Sequence, residues 1–108
     1  MQKTLETFLN DGLEPAQREA ICDVLRRFPQ IQAAQLYGSR ATGRYRAGSD
    51  IDLTLLGDIN LMALNEISMA LDDLLLPYKI DLSAWDQIDN EALRRHIERA
   101  GKRFYCKK

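Results

Sequence analysis

The chain has 108 residues, of which 45% are hydrophobic and 29% are charged, a composition that excludes disordered and fibrous proteins and supplies one hydrophobic core. Fifteen basic and sixteen acidic side chains give a formal net charge of −1, so we expect no direct nucleic-acid binding through overall charge. Apolar runs fall far short of the ~20 residues of a membrane span, and we expect no membrane association, a cytoplasmic location and a single domain over residues 1–108.

The first predicted elements are a helix and a buried strand. Apolar residues recur at helical spacing from Pro15 to Phe28, where Pro15 suits the first turn and Pro29 closes the segment. The short apolar run Ile31–Tyr37 that follows is typical of a buried strand.

A glycine turn and a loop come next. Gly38 and Ser39 directly follow the first predicted strand. Residues 39–49 could carry a short helix after Ser39 and then a loop that contains Gly43, Gly48 and three arginines.

A second strand and a second long helix follow this loop. Ile51–Leu56 alternates in a way that places Asp50 and Asp52 on one strand face and the apolar residues on the other. Helical spacing of apolar residues predicts a helix over Asn60–Leu75, with Asn60 as its cap.

The last third of the chain predicts a strand, a helix and a short strand. Tyr78–Ala84 carries Asp81 between two apolar residues, as expected for a third strand. A final helix over Asp89–Ala100 is capped by its first residue and stopped by Gly101, and Arg103–Tyr105 reads as a short edge strand. The element order indicates an α/β (α+β) protein with helices packed on a mixed β-sheet, although it does not define the strand order.

The candidate functional residues form one pattern, in which Gly38-Ser39 is followed after ten residues by Asp50-Ile51-Asp52. Glycine allows a phosphate to approach the backbone closely, and the amides at a helix start attract anions. Asp50 and Asp52 would lie roughly 6.5 Å apart along a strand, and Mg²⁺ prefers such oxygen ligands together with water and phosphates. If Asp81 lies on a neighbouring strand, three negative charges converge, and their repulsion predicts bound cations.

This pattern, within Gly-Ser-Arg-Ala-Thr-Gly-Arg and Gly-Ser-Asp-Ile-Asp-Leu, resembles the minimal nucleotidyltransferase family of the DNA polymerase β superfamily. The resemblance implies a polymerase β-like nucleotidyltransferase fold and an enzyme that uses ATP and two Mg²⁺ ions. It implies that Gly38 and Ser39 hold the β and γ phosphates. It also implies that Asp50 and Asp52 bind Mg²⁺ and that Asp81 completes the catalytic and metal-binding carboxylates.

The resemblance also implies a partner. Small members of the family are similar to one half of a two-gene pair whose other half is an all-helical HEPN-type or substrate-binding protein. In the toxin–antitoxin branch, the nucleotidyltransferase is an antitoxin that transfers AMP to a tyrosine of a HEPN ribonuclease toxin. The sequence predicts no separate domain to hold an acceptor, so we expect the acceptor to come from a partner encoded nearby.

Other interpretations of these residues stay open from the sequence alone. Ser39 could be only a helix cap, Asp81 could face solvent at a strand edge, and the loop arginines could be surface charges, with Arg40 the best placed to reach a phosphate. The whole chain could be a non-catalytic nucleotide-binding module that neutralises or scaffolds its partner by contact. A third interpretation is nucleotidylation of a small molecule at a site completed by an oligomer.

Overall fold

A four-stranded mixed sheet forms the centre of the computed structural model, which describes residues 11–107. In chain order the elements are α1 (Pro15–Arg26), β1 (Ile31–Tyr37), α2 (Ser39–Thr42), β2 (Ile51–Gly57), α3 (Leu61–Asp72), β3 (Ile80–Ala84), a 3₁₀ turn (Trp85–Gln87), α4 (Glu91–Ala100) and β4 (Lys102–Cys106). The α/β class and the mixed sheet are therefore confirmed. The prediction of one domain over residues 1–108 extends beyond the described residues and stays a prediction.

The strand order is β3-β2-β1-β4. β1 pairs antiparallel with β2 and with β4, whereas β2 and β3 run parallel. Parallel neighbours require a crossover, and α3 supplies it. The predicted short strand near the end of the chain is confirmed as the edge strand β4.

One face of the sheet carries the main hydrophobic core. Alternate residues of the two central strands are buried on this face, among them Leu36, Leu53 and Leu55. They pack in one cluster with apolar residues of α1 and α3, such as Leu25 and Ile67. This burial explains why both helices show apolar residues at helical spacing.

The opposite face carries the polar strand residues and is partly covered by α4. Ile97 of α4 is buried, and it lines a small cavity of about 170 Å³ with Gln35 and Leu56. α4 covers this face away from the strand end that bears Asp52. None of the helices within residues 11–107 is long and apolar enough to cross a membrane.

Several predicted boundaries differ from the structure by a few residues. α1 ends at Arg26 rather than Phe28, and α3 ends at Asp72 rather than Leu75. Leu75 has a φ of 54°, which cannot continue a right-handed helix. β3 begins at Ile80 rather than Tyr78, because its pairing with β2 begins there.

The predicted caps are confirmed in two cases and wrong in one. The Asn60 side chain accepts a hydrogen bond from the Ala63 backbone N–H at 2.8 Å, and Gly101 ends α4 as predicted. The cap of α4 is Asn90 rather than Asp89, because the Asn90 side chain accepts from the Leu93 backbone N–H at 3.0 Å. A cap must directly precede the first helical residue to reach that N–H.

Candidate active site

The turn from β1 into α2 is built on Gly38. Its φ of 78° and ψ of −155° form a combination that essentially only glycine adopts. Its carbonyl accepts hydrogen bonds from the backbone N–H groups of Ala41 and Thr42 and so starts α2. A β-carbon at this position would collide with the side-chain carboxylate of Asp52. The backbone of the glycine turn therefore lies directly against the second aspartate of the motif.

Ser39 is the first residue of α2 and is half-buried. Gly38 occupies the N-cap position of this helix, and no side chain caps it. The interpretation of Ser39 as a helix cap is therefore wrong. The phosphate contact of Ser39 stays a prediction.

The three aspartates converge at one end of the sheet. Asp52 is half-buried on β2 and pairs in register with Asp81 on the parallel strand β3. Asp50 immediately precedes β2, and both Asp50 and Asp81 are exposed. Asp81 therefore faces solvent at the edge of the sheet, as one of the interpretations of the sequence allowed. It also lies beside Asp52.

The charge of Asp52 is unfavourable in this environment. Burial, followed by the negative charges of Asp81 and Asp50, raises the pKa of Asp52 to about 6. The site therefore concentrates negative charge around a carboxylate that has lost part of its hydration. This arrangement favours a cation or a proton near Asp52.

The donor set suits a hard divalent cation, although it does not form a complete metal shell. Within residues 11–107, no three acidic, histidine or cysteine side chains are grouped closely enough to hold a metal ion by themselves. Mg²⁺ commonly takes only one or two carboxylates from the protein and completes its octahedron with water and phosphate oxygens. Asp50, Asp52 and Asp81 fit this mode of binding better than a preformed protein cage.

Arg40 has a structural role that differs from the expected phosphate contact. Its side chain is buried, with Nε donating to the Ser49 carbonyl at 3.1 Å and Nη1 donating to the Asp11 carbonyl at 2.6 Å. The guanidinium also lies over the rings of Tyr45 and Tyr78, at 5.2 and 4.6 Å from their centroids. Arg40 therefore ties α2 to the residue before Asp50 and to the segment that leads into β3.

The other two loop arginines are surface charges, and two aromatic residues that flank β3 pack on arginine side chains. Arg44 and Arg46 are exposed, as expected of surface charges. Tyr78 packs on Arg40, and Trp85 packs on Arg94 with 4.1 Å between guanidinium carbon and ring centroid.

Tyr37 and Ser83 belong to the site but were not predicted. Tyr37 lies opposite Asp52 in the β1–β2 register, and the Ser83 side chain lies near its phenol. Burial raises the pKa of Tyr37, and the charges of Asp52 and Asp81 raise it further. Strand pairing is what brings these residues together. The only sign of this in the sequence was that Tyr37 occupies a position on the polar face of its strand.

Comparison with known proteins identifies the family of the chain. The family model for polymerase β nucleotidyltransferases matches residues 19–108. No significant match was found among curated proteins. Among solved structures, the chain is similar to a toxin–antitoxin complex with AMP-PNP, with 24% identity, coverage of 84% of this chain and 74% of that chain, and a TM-score of 0.69.

Two further structures share the fold. One is a tri-AMPylated HEPN toxin in complex with an MNT antitoxin from Shewanella oneidensis, with 21% identity, coverage of 88% of this chain and 74% of that chain, and a TM-score of 0.66. The other is a protein from Sulfolobus solfataricus described as a nucleotidyltransferase, with 20% identity, coverage of 83% of this chain and 77% of that chain, and a TM-score of 0.51. The chain belongs to the polymerase β nucleotidyltransferase family.

Proposed function

We propose that this chain is a Mg²⁺-dependent nucleotidyltransferase that transfers AMP from ATP to a hydroxyl group of an all-helical, HEPN-type partner protein. The observation that carries the proposal is the contact of the Gly38 turn with Asp52, next to Asp81 in register on β3. This contact places a backbone suited to phosphates against carboxylates suited to Mg²⁺. The similar AMP-PNP and AMPylated-toxin complexes support the choice of nucleotide and of partner.

The proposed reaction is a displacement at the α-phosphorus of ATP. The acceptor oxygen forms a bond to this phosphorus while the bond to the bridging oxygen breaks, and pyrophosphate leaves. Gly38 and Ser39 hold the β and γ phosphates through backbone N–H groups and the serine hydroxyl. Asp81 lies on the edge strand β3 and is exposed, so we assign it the acceptor proton. Bound Mg²⁺ would neutralise the triphosphate and lower the pKa of the acceptor hydroxyl.

A labelled-transfer experiment tests this function. The chain is incubated with Mg²⁺, its co-purified helical partner and ATP labelled at the α-phosphate, and we expect label on a partner tyrosine. ATP labelled at the γ-phosphate should leave the partner unlabelled, since that phosphate departs with pyrophosphate. No α-label on the partner, with Mg²⁺-ATP bound to the chain, would contradict the proposal.

A second candidate is a non-catalytic nucleotide-binding module that neutralises or scaffolds the partner by contact. The exposed apolar side chains of Met62, Met69 and Leu75 are the observation in its favour, because they offer a surface for contact with a partner. The double variant Asp50→Asn/Asp52→Asn separates the two functions. Neutralisation of a toxic partner in cells by this variant would favour the contact module, and its loss would favour transfer. For either function we propose a cytoplasmic location, where ATP and a newly made partner are both present.

A further inference from the structure

Large apolar side chains are exposed along α3 and the turn that follows it. Met62 and Met69 are 75% and 67% exposed, and Leu75 is 87% exposed. Met62 and Met69 are seven residues apart and so lie on the same side of the helix. All the large hydrophobic residues that are exposed within residues 11–107 lie in this segment. Such a concentration marks a surface that binds another molecule.

The same segment carries only negative charge. Residues 57–78 contain four acidic side chains and no lysine or arginine. Asp72 is the last residue of α3 and Asp73 is its C-cap, where the helix dipole already concentrates negative potential and normally favours cations. A positively charged group placed at this helix end would relieve the repulsion.

The backbone of Leu75 is also unfavourable in the isolated chain. Its φ of 54° is the one positive value at a non-glycine residue within residues 11–107, and the β-carbon of any side chain disfavours that conformation. The conformation directs a leucine side chain outward, with most of its surface exposed. Contact with a partner would recover the burial that this side chain lacks.

The topology places this surface near the candidate active site. β2 and β3 are parallel and α3 connects them, so the C-terminal end of α3 lies where both strands begin. Asp52 and Asp81 lie at that same end of the sheet. A protein bound at Met69 and Leu75 would therefore lie at the same end of the sheet as these two aspartates.

We propose that the outer side of α3 and Leu75, defined here as the α3 surface (Met62, Met69, Asp72, Asp73 and Leu75), bind a basic amphipathic helix of the partner protein. Apolar side chains of that helix pack on the methionines and the leucine, and flanking lysines or arginines pair with the two aspartates. A second copy of this chain does not suit the surface, because it would bring like charges together. The inference rests on the proposed function for the existence of a helical partner.

A photo-crosslinking experiment tests the location of the surface. A photoreactive phenylalanine analogue replaces Met69 in the full chain in its source cells, and the same analogue at the exposed Gln32 serves as the control. We expect crosslinks from position 69 to a helical segment rich in lysine or arginine, identified by peptide mass spectrometry. Crosslinks to another copy of this chain, to an acidic segment, to the same protein from both positions, or to nothing would overturn the proposal.

Affinity measurements then separate this proposal from the proposed function. Met69→Lys and Leu75→Lys should each weaken the complex with the crosslinked protein at least tenfold, whereas Gln32→Lys adds the same charge and should not. All three variants should still bind Mg²⁺-ATP in calorimetric titration. Unchanged affinity of Met69→Lys and Leu75→Lys would overturn the α3 surface. A complex that forms through this surface without AMP transfer would instead overturn the proposed function alone.

Discussion

Asp52 is the residue at which the requirements of stability and of the site oppose each other. Its pKa is about 6 in the folded protein and about 4 in an unfolded chain. Between these values the folded state binds more protons than the unfolded state, so its stability falls as the pH rises through this window. Above pH 6 the folded protein carries the full cost of the ionised carboxylate.

Replacement of Asp52 by asparagine should therefore stabilise the metal-free protein. At pH 7.5 we expect a gain in the free energy of unfolding on the order of 1 kcal/mol, after allowance for solvent screening, and a much smaller gain at pH 4. Urea denaturation at the two pH values measures the difference. Asp58→Asn, at an exposed position, should change little. A loss of stability in Asp52→Asn at pH 7.5 would show that the carboxylate is not under electrostatic stress.

Gly38 is required for a second reason besides its backbone angles. Gly38→Ala adds a β-carbon against the Asp52 carboxylate, whereas Gly43→Ala, at a φ of 82°, adds one that meets nothing within 4 Å. We expect Gly43→Ala to cost about 1 kcal/mol of stability and Gly38→Ala to cost at least ~1 kcal/mol more. Thermal denaturation of both variants measures the costs. Equal costs would mean that the contact with Asp52 is unimportant.

At the scale of elements, Arg40 holds together the segments that carry the site. Arg40→Lys keeps the charge but cannot donate to two carbonyls and stack on two rings, so we expect a loss of roughly 2 kcal/mol in the free energy of unfolding. Mg²⁺-ATP affinity should fall as well, since Arg40 anchors the Ser49 carbonyl next to Asp50. The exposed Arg44 provides the matched control Arg44→Lys. Chemical denaturation and calorimetry of the two variants should separate them clearly, and similar behaviour would contradict this role.

The start of α4 gives a compact test of helix capping. Asn90→Ala removes the side chain that accepts from the Leu93 backbone N–H and should cost about 1 kcal/mol. Asp89→Ala removes an exposed side chain outside the cap position and should cost clearly less. The difference is measured as the shift in the thermal midpoint. A larger effect at Asp89 would restore the cap expected from the sequence.

Local signals predicted the elements better than their ends. Apolar periodicity identified α1 and β2, and a short apolar run identified β1, because all three contribute buried residues to the core. The end of α3 was placed three residues too late, because Leu74 and Leu75 continue the apolar pattern while the backbone has already left the helix. Helix ends depend on single dihedral angles and hydrogen bonds, which periodicity does not report.

At the scale of the whole molecule, the unpredicted features depend on strand pairing. The sequence indicated that Gly38, Ser39, Asp50 and Asp52 belong together, because they lie close along the chain. It did not predict that β1 and β2 occupy the centre of the sheet or that Tyr37 lies opposite Asp52. The role of Arg40 was missed for the same reason, since its partner carbonyl at Asp11 lies 29 residues away. Contacts of this kind come from tertiary packing and leave no periodic signal.

The central claim is a Mg²⁺-dependent triphosphate site formed by Gly38, Ser39 and the three aspartates, and calorimetric titration of ATP tests it most directly. We expect the native chain to bind ATP with Mg²⁺ present and to bind it at least tenfold more weakly without Mg²⁺. Asp50→Asn/Asp52→Asn should lose the Mg²⁺-dependent part. Binding of equal strength with and without Mg²⁺, or full Mg²⁺-dependent binding by the double variant, would contradict the account.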